Sequence, residues 1–122
     1  MNDKDREKIE EFYDREEIDE LYIFLKSHIE KEEPYALYIY SSFSLPIWNE
    51  TDEEFDERRI RLLKKSSSLG CPEAMYQLAC CYLYGEGIER DVSKCIECAT
   101  QAANLGYKYA ETLLEQLVRN KE

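Results

Sequence analysis

The chain has little of what membrane insertion, secretion or catalysis requires. It contains no run of 18 apolar residues, which argues against a transmembrane helix. The amino-terminal stretch Met1-Asn-Asp-Lys-Asp5 is charged and has no apolar core, so no secretory signal is expected and a reducing cytoplasm is the expected location. The single histidine, His28, lies between Leu25 and Ile29 on a helical pattern and reads as a structural residue. There is no glycine-rich phosphate loop, since Gly85-Glu-Gly87 alone makes only a turn. Gripping a phosphate backbone needs clustered Lys and Arg, and acidic neighbours offset the short stripe Arg58, Arg59, Arg61, Lys64 and Lys65. These absences disfavour an enzyme, a membrane protein and a nucleic-acid binder. No cofactor and no metal are expected.

Five cysteines are present. An odd count argues against a disulfide framework. Cys95-x-x-Cys98 together with Cys80-Cys81 could offer four thiolates to zinc, but the first pair shares one helix and the second pair points about 100° apart on another. Tetrahedral convergence is difficult from there. Buried small hydrophobes are the leading reading, with a disulfide and a zinc site as the minor alternatives.

The formal charge is −11. Residues 1–59 hold 19 acidic and 8 basic side chains, whereas residues 60–122 hold 8 of each, so the whole net charge lies in the first half. The densest block carries Glu50, Asp52, Glu53, Glu54, Asp56 and Glu57 with no base among them. It is either a solvated face that keeps the protein soluble or a docking surface for a basic partner.

Apolar residues recur at helical spacing along most of the chain. Ile18, Leu21, Tyr22, Leu25 and Ile29 mark one helix, preceded by a shorter charged one from Asp3 to Tyr13. Thr51-x-x-Glu54 is a capping box that opens a helix through Ser68. Ala74, Leu78, Cys81 and Tyr82 form the inner face of the next helix, and Cys95, Cys98, Ala99 and Ala102 that of its successor. Between those two, Gly85 and Gly87 suit a tight turn that needs positive φ or a close backbone approach, and Asp91 can cap the second helix. Gly106 fits the position that ends it. Pro34-Tyr-Ala36 and Pro72-Glu-Ala74 share a signature with proline at the first helical position. Their alanines lie 38 residues apart, Ala74 and Ala110 lie 36 apart, and such a period marks a solenoid of helix pairs.

The run from Ala74 to Ala110 resembles the Sel-one-like repeat, a relative of the tetratricopeptide repeat. The resemblance rests on Ala74, Leu78, Tyr82, Gly85-x-Gly87-Ile88, Asp91, Lys94, Ala102-Ala103, Gly106 and Ala110. Ala79, Ile88, Cys95 and Cys98 stand where the family has Gly, Val, Ala and Trp. It implies an all-α, right-handed α/α solenoid of about seven helices. One domain is expected, with N-terminal capping helices over 1–33, a degenerate repeat over 34–70, a clear repeat over 71–106 and a C-terminal helix over 107–122. Leu78, Ala79, Tyr82, Cys95, Cys98, Ala102 and Ala103 should be buried. In the degenerate copy, residues 44–51 replace the Gly-x-Gly turn and carry Trp48, either as a buried loop anchor or as an exposed binding aromatic.

In such a solenoid the first helices of successive pairs line a concave groove that binds proteins or peptides. The exposed faces of these helices carry Tyr38, Ser42 and Leu45, then Tyr76, Cys80, Leu83 and Tyr84, then Thr112, Gln116 and Arg119. Tyrosine, of which there are ten, supplies contact area at low entropic cost, so these tyrosines either line a binding groove or merely cover the seams between repeats. The expected function is non-enzymatic binding of a basic protein partner. The specific form is a small acidic immunity protein that neutralises a basic toxin such as a nuclease. An adaptor or scaffold of the same repeat family is the alternative, and an enzyme is the least favoured class.

Overall fold

The computed structural model describes residues 1–120. Among the described residues there are seven α-helices and no strand: α1 (Asp3–Asp14), α2 (Ile18–Glu30), α3 (Pro34–Tyr40), α4 (Asp52–Ser68), α5 (Pro72–Tyr84), α6 (Val92–Asn104) and α7 (Lys108–Asn120). A 3₁₀ turn, Pro46–Trp48, lies between α3 and α4. Each helix packs on the next, giving a solenoid of helix pairs. The last two residues of the expected 107–122 helix lie outside the described residues.

Local chemistry accounts for the helix ends. The Thr51 hydroxyl accepts from the Glu54 amide while the Glu54 carboxylate accepts from the Thr51 amide, and this reciprocal box opens α4. The Asp91 carboxylate accepts from the Lys94 amide at 3.1 Å and opens α6, a cap worth about 1 kcal/mol. Gly85 (φ 69°) and Gly87 (φ 72°) both take the left-handed conformation in the α5–α6 turn.

The repeat register is visible in burial. Ala36, Ala74 and Ala110 are all fully buried, so a methyl group is all that separates neighbouring helices at each equivalent position. Ser66 on α4 is also fully buried, and its hydroxyl donates to the Pro34 carbonyl at 2.6 Å, tying one helix pair together. One core cluster gathers residues of α4 to α7, including Leu63, Leu78, Cys81, Tyr82, Cys95 and Ala99. A second gathers Ile9, Leu21, Leu25, Ala36, Ile39 and Phe43 around α1 to α3. Tyr38 packs against both.

The structure corrects the expected core in three places. Cys98 and Ala103 are half-buried, because Cys95, Ala99 and Ala102 form the inward stripe of α6 and these two flank it. Leu45, placed on the groove face by sequence, is buried in the N-terminal cluster. The cause is that α3 stops after two turns. The hydroxyls of Ser41 and Ser42 turn back onto the carbonyls of Tyr38 and Ile39, a competition that ends helices. The following loop then folds inward around Trp48, whose ring stacks on Phe43 and meets the edges of Tyr22 and Tyr40. Trp48 is therefore a half-buried loop anchor.

Candidate protein-binding groove

The first helices of successive pairs meet at an open cavity of about 390 Å³. Helix α1 contributes Arg6, Glu10, Tyr13 and Asp14. Helix α3 contributes Tyr35 and Tyr38, with Ser42 just beyond its end, α5 contributes Glu73, and Tyr107 enters ahead of α7. The buried side chains of Ile9 and Ile39 form the apolar base.

The polar chemistry of the cavity is uneven. The Arg6 guanidinium lies 3.7 Å above the Tyr35 ring and donates to the Glu73 carboxylate at 3.1 Å. Glu10 and Asp14 have no ion-pair partner among the described residues, so the cavity carries three carboxylates against one cation. Burial, reinforced by Tyr107, pushes the Tyr38 phenol up to about 12. Burial also raises Tyr35, against the opposing pull of Arg6, and raises Tyr107, where Glu73 adds to the effect. These phenols stay neutral at ordinary pH and can donate hydrogen bonds.

Beside the cavity lies a second aromatic group. Tyr76, Tyr107 and Tyr109 are mutually close, with ring centroids 5.6 to 6.1 Å apart. Burial, and after it the neighbouring Cys80 thiol, pushes Tyr76 up to about 12. Tyr109 and Tyr84 are each 67% exposed.

The expected groove residues divide accordingly. Tyr38 and Ser42 line the cavity, and Tyr76 and Cys80 lie in the adjoining group. Leu83 packs against the α5–α6 core. Tyr84, Thr112 and Gln116 are exposed, and the Thr112 hydroxyl donates back to the Lys108 carbonyl. The sequence pattern does not single out α1, Tyr35, Glu73 or Tyr107, which line the cavity. One signal was available: Tyr35 and Glu73 each follow the proline that starts a first helix, at equivalent repeat positions.

The acidic block divides as well. Glu50 is largely enclosed, held by the Arg58 guanidinium at 2.8 and 3.0 Å and by the Ser44 hydroxyl. Arg58 also donates to the carbonyls of Tyr40 and Phe43 and lies over Trp48, which makes this a structural clamp on the loop. Glu54 is used in the capping box, and Asp56 pairs with Arg59. Asp52, Glu53 and Glu57 point to solvent. His28 contacts Glu33 and lies 3.9 Å from Asp5, packed beside Phe24. All five cysteines are free. Cys81 accepts from Arg59 at 3.1 Å, whereas Cys80 lies beside Tyr76. Among the described residues no group of three or more His, Cys, Asp or Glu side chains is placed to hold a metal ion.

Residues 72–107 match the family model of the Sel1 repeat. The chain carries a Sel1 repeat. The match opens at the first residue of α5, spans α6 and ends where the chain turns into α7. Comparison with curated proteins and with solved structures gave no match. The Sel1 repeat is a helical, solenoid-forming unit that mediates protein–protein interaction, and a protein is the partner class it brings. No described helix is long and apolar enough to cross a membrane.

Proposed function

We propose that this chain binds a basic protein through the concave face formed by α1, α3, α5 and the start of α7, without catalysing a reaction. The observation that carries the reading is the cavity itself. It combines four tyrosines with a two-charge excess of carboxylate, on the face that helical-repeat proteins use for binding. Tyrosine is enriched at protein interfaces, and complementary charge speeds encounter.

The narrower form of the proposal is an immunity protein: a small acidic chain that neutralises a basic toxin such as a nuclease. Its support is a net charge of −11 on 122 residues, all of it contributed by residues 1–59. The exposed Asp52, Glu53 and Glu57 would steer the approach, while Glu50, Glu54 and Asp56 serve the fold. The test is affinity capture from the native host with the wild-type chain and with a Tyr13→Ala/Tyr76→Ala variant whose circular dichroism is unchanged. The reading requires a protein with an isoelectric point above about 9 that the wild type retains and the variant loses. Equal retention by both would place the interface elsewhere.

A further inference from the structure

We infer that the α1 side of the cavity is a receptor for one guanidinium group, the side chain of an arginine on the docking partner. This rests on the groove being the docking face and specifies the ligand chemistry within it.

The chain displays the recognition mode internally. Arg6 stacks on a tyrosine ring at 3.7 Å while its terminal nitrogen meets a carboxylate at 3.1 Å. That pairing of flat aromatic face and carboxylate suits the planar, multi-donor guanidinium better than a compact ammonium. Arg6 satisfies Tyr35 and Glu73. Next to them the same cavity offers a second set without a cation: Glu10 and Asp14 on adjacent turns of α1, with Tyr13 between them in sequence and Tyr38 facing from α3. Residues four apart on a helix share a face, so both carboxylates border one space. Tyr13 is 39% exposed and accessible to an incoming side chain. The Tyr38 phenol is neutral and stays a hydrogen-bonding group rather than a charge. The cavity as a whole, about 390 Å³ and open to solvent, is larger than an arginine side chain. A guanidinium entering there would meet the same pairing of carboxylate and tyrosine that holds Arg6, and its single charge would offset one of the two uncompensated carboxylates.

The test uses the full chain, isotopically labelled, titrated with N-acetylarginine amide to about 20 mM and followed by two-dimensional NMR, with matched sodium chloride as control. An isolated side chain should bind with a dissociation constant of about 1–10 mM. Saturable shifts centred on Tyr13, Asp14 and Tyr38 are expected. The neutral citrulline analogue should produce none, and the lysine analogue should bind at least about threefold more weakly. A Glu10→Gln/Asp14→Asn variant, altered only on an exposed helix surface, should weaken the arginine effect about tenfold. Absent or non-saturating shifts, shifts centred elsewhere, or equal binding of citrulline or lysine overturn the guanidinium assignment. If that happens while a captured partner still loses affinity on Tyr76→Ala, the groove stands and the arginine slot is refuted. If the arginine shifts are present and specific while Tyr76→Ala has no effect on the partner, the cavity binds a guanidinium but the docking face lies elsewhere, which overturns the groove reading and with it the assignment of the slot to the partner's arginine.

Discussion

Replacing Gly87 with alanine should destabilise the protein more than replacing Gly85, although both glycines share one backbone conformation. Their φ values are 72° and 69°, so the left-handed penalty of roughly 1–2 kcal/mol applies to both. The surroundings differ. A Cβ on Gly85 would meet nothing closer than 3.5 Å, which is ordinary contact. A Cβ on Gly87 would come within 3.2 Å of the Asp56 Cβ, 3.3 Å of the Ile60 side chain and 3.2 Å of the Arg59 guanidinium. Arg59 can swing aside, but Asp56 Cβ and Ile60 are fixed to α4 and must move with it. Overpacking of that kind adds about 1–2 kcal/mol. The expected losses are about 1–2 kcal/mol for Gly85→Ala and about 2–4 kcal/mol for Gly87→Ala. Urea unfolding followed by far-ultraviolet circular dichroism measures both, and each kcal/mol should lower Tm by about 3–5 °C in a chain of this size. Equal losses would refute the reasoning, because they would mean that the α5–α6 turn does not press on α4.

Glu32→Gly should raise stability by about 1 kcal/mol, since Glu32 holds φ 53° at the place where Gly70 and Gly106 stand in the later copies, and the exposed Lys65 pair it gives up contributes little; thermal denaturation checks it. Glu50→Gln should be most destabilising near neutrality. The Arg58 and Ser44 hydrogen bonds lower the folded Glu50 carboxyl below its ordinary 4.5, so its stabilisation is present above that pH and is lost as pH falls through the folded value. The gap between wild type and variant in urea titrations should therefore narrow below about pH 4.5. Thiol titration under denaturing, non-reducing conditions should count five cysteines. In the native protein Cys71 and Cys95, which burial pushes up to about 11, should react far more slowly than the half-buried Cys80 and Cys98.

What could be read in advance was local. The Thr51–Glu54 box, the Asp91 cap and the Gly85-x-Gly87 turn each depend on residues a few positions apart, and their spacing is sufficient evidence. Long-range chemistry was less visible. Arg6 lies 67 residues from Glu73, and nothing in a charged first helix says that its guanidinium will cross to α5 and complete the groove. Glu50 looked like part of an acidic surface until the fold brought Arg58 onto it along with two loop carbonyls. The helical spacing continues α3 through Ser42 to Leu45, but the hydroxyls of Ser41 and Ser42 end the helix; Ser42 still borders the cavity, whereas Leu45 turns into the core. The Glu32 substitution was detectable, because 32, 70 and 106 share the spacing of the buried alanines, yet glutamate gives no hint of a left-handed backbone.

The most direct measurement is the binding kinetics of the captured basic partner at two salt concentrations, with three forms of the chain. A groove interface predicts that Tyr76→Ala costs about 1–3 kcal/mol, expressed mainly as faster dissociation. An Asp52→Asn/Glu53→Gln/Glu57→Gln variant, which spares the cap and the Arg58 clamp, should slow association and flatten its salt dependence with little change in dissociation. If dissociation is untouched by Tyr76→Ala in a folded protein, the groove is not the binding face; if association ignores salt in every form, the acidic half only solubilises the chain and the basic-partner reading is contradicted.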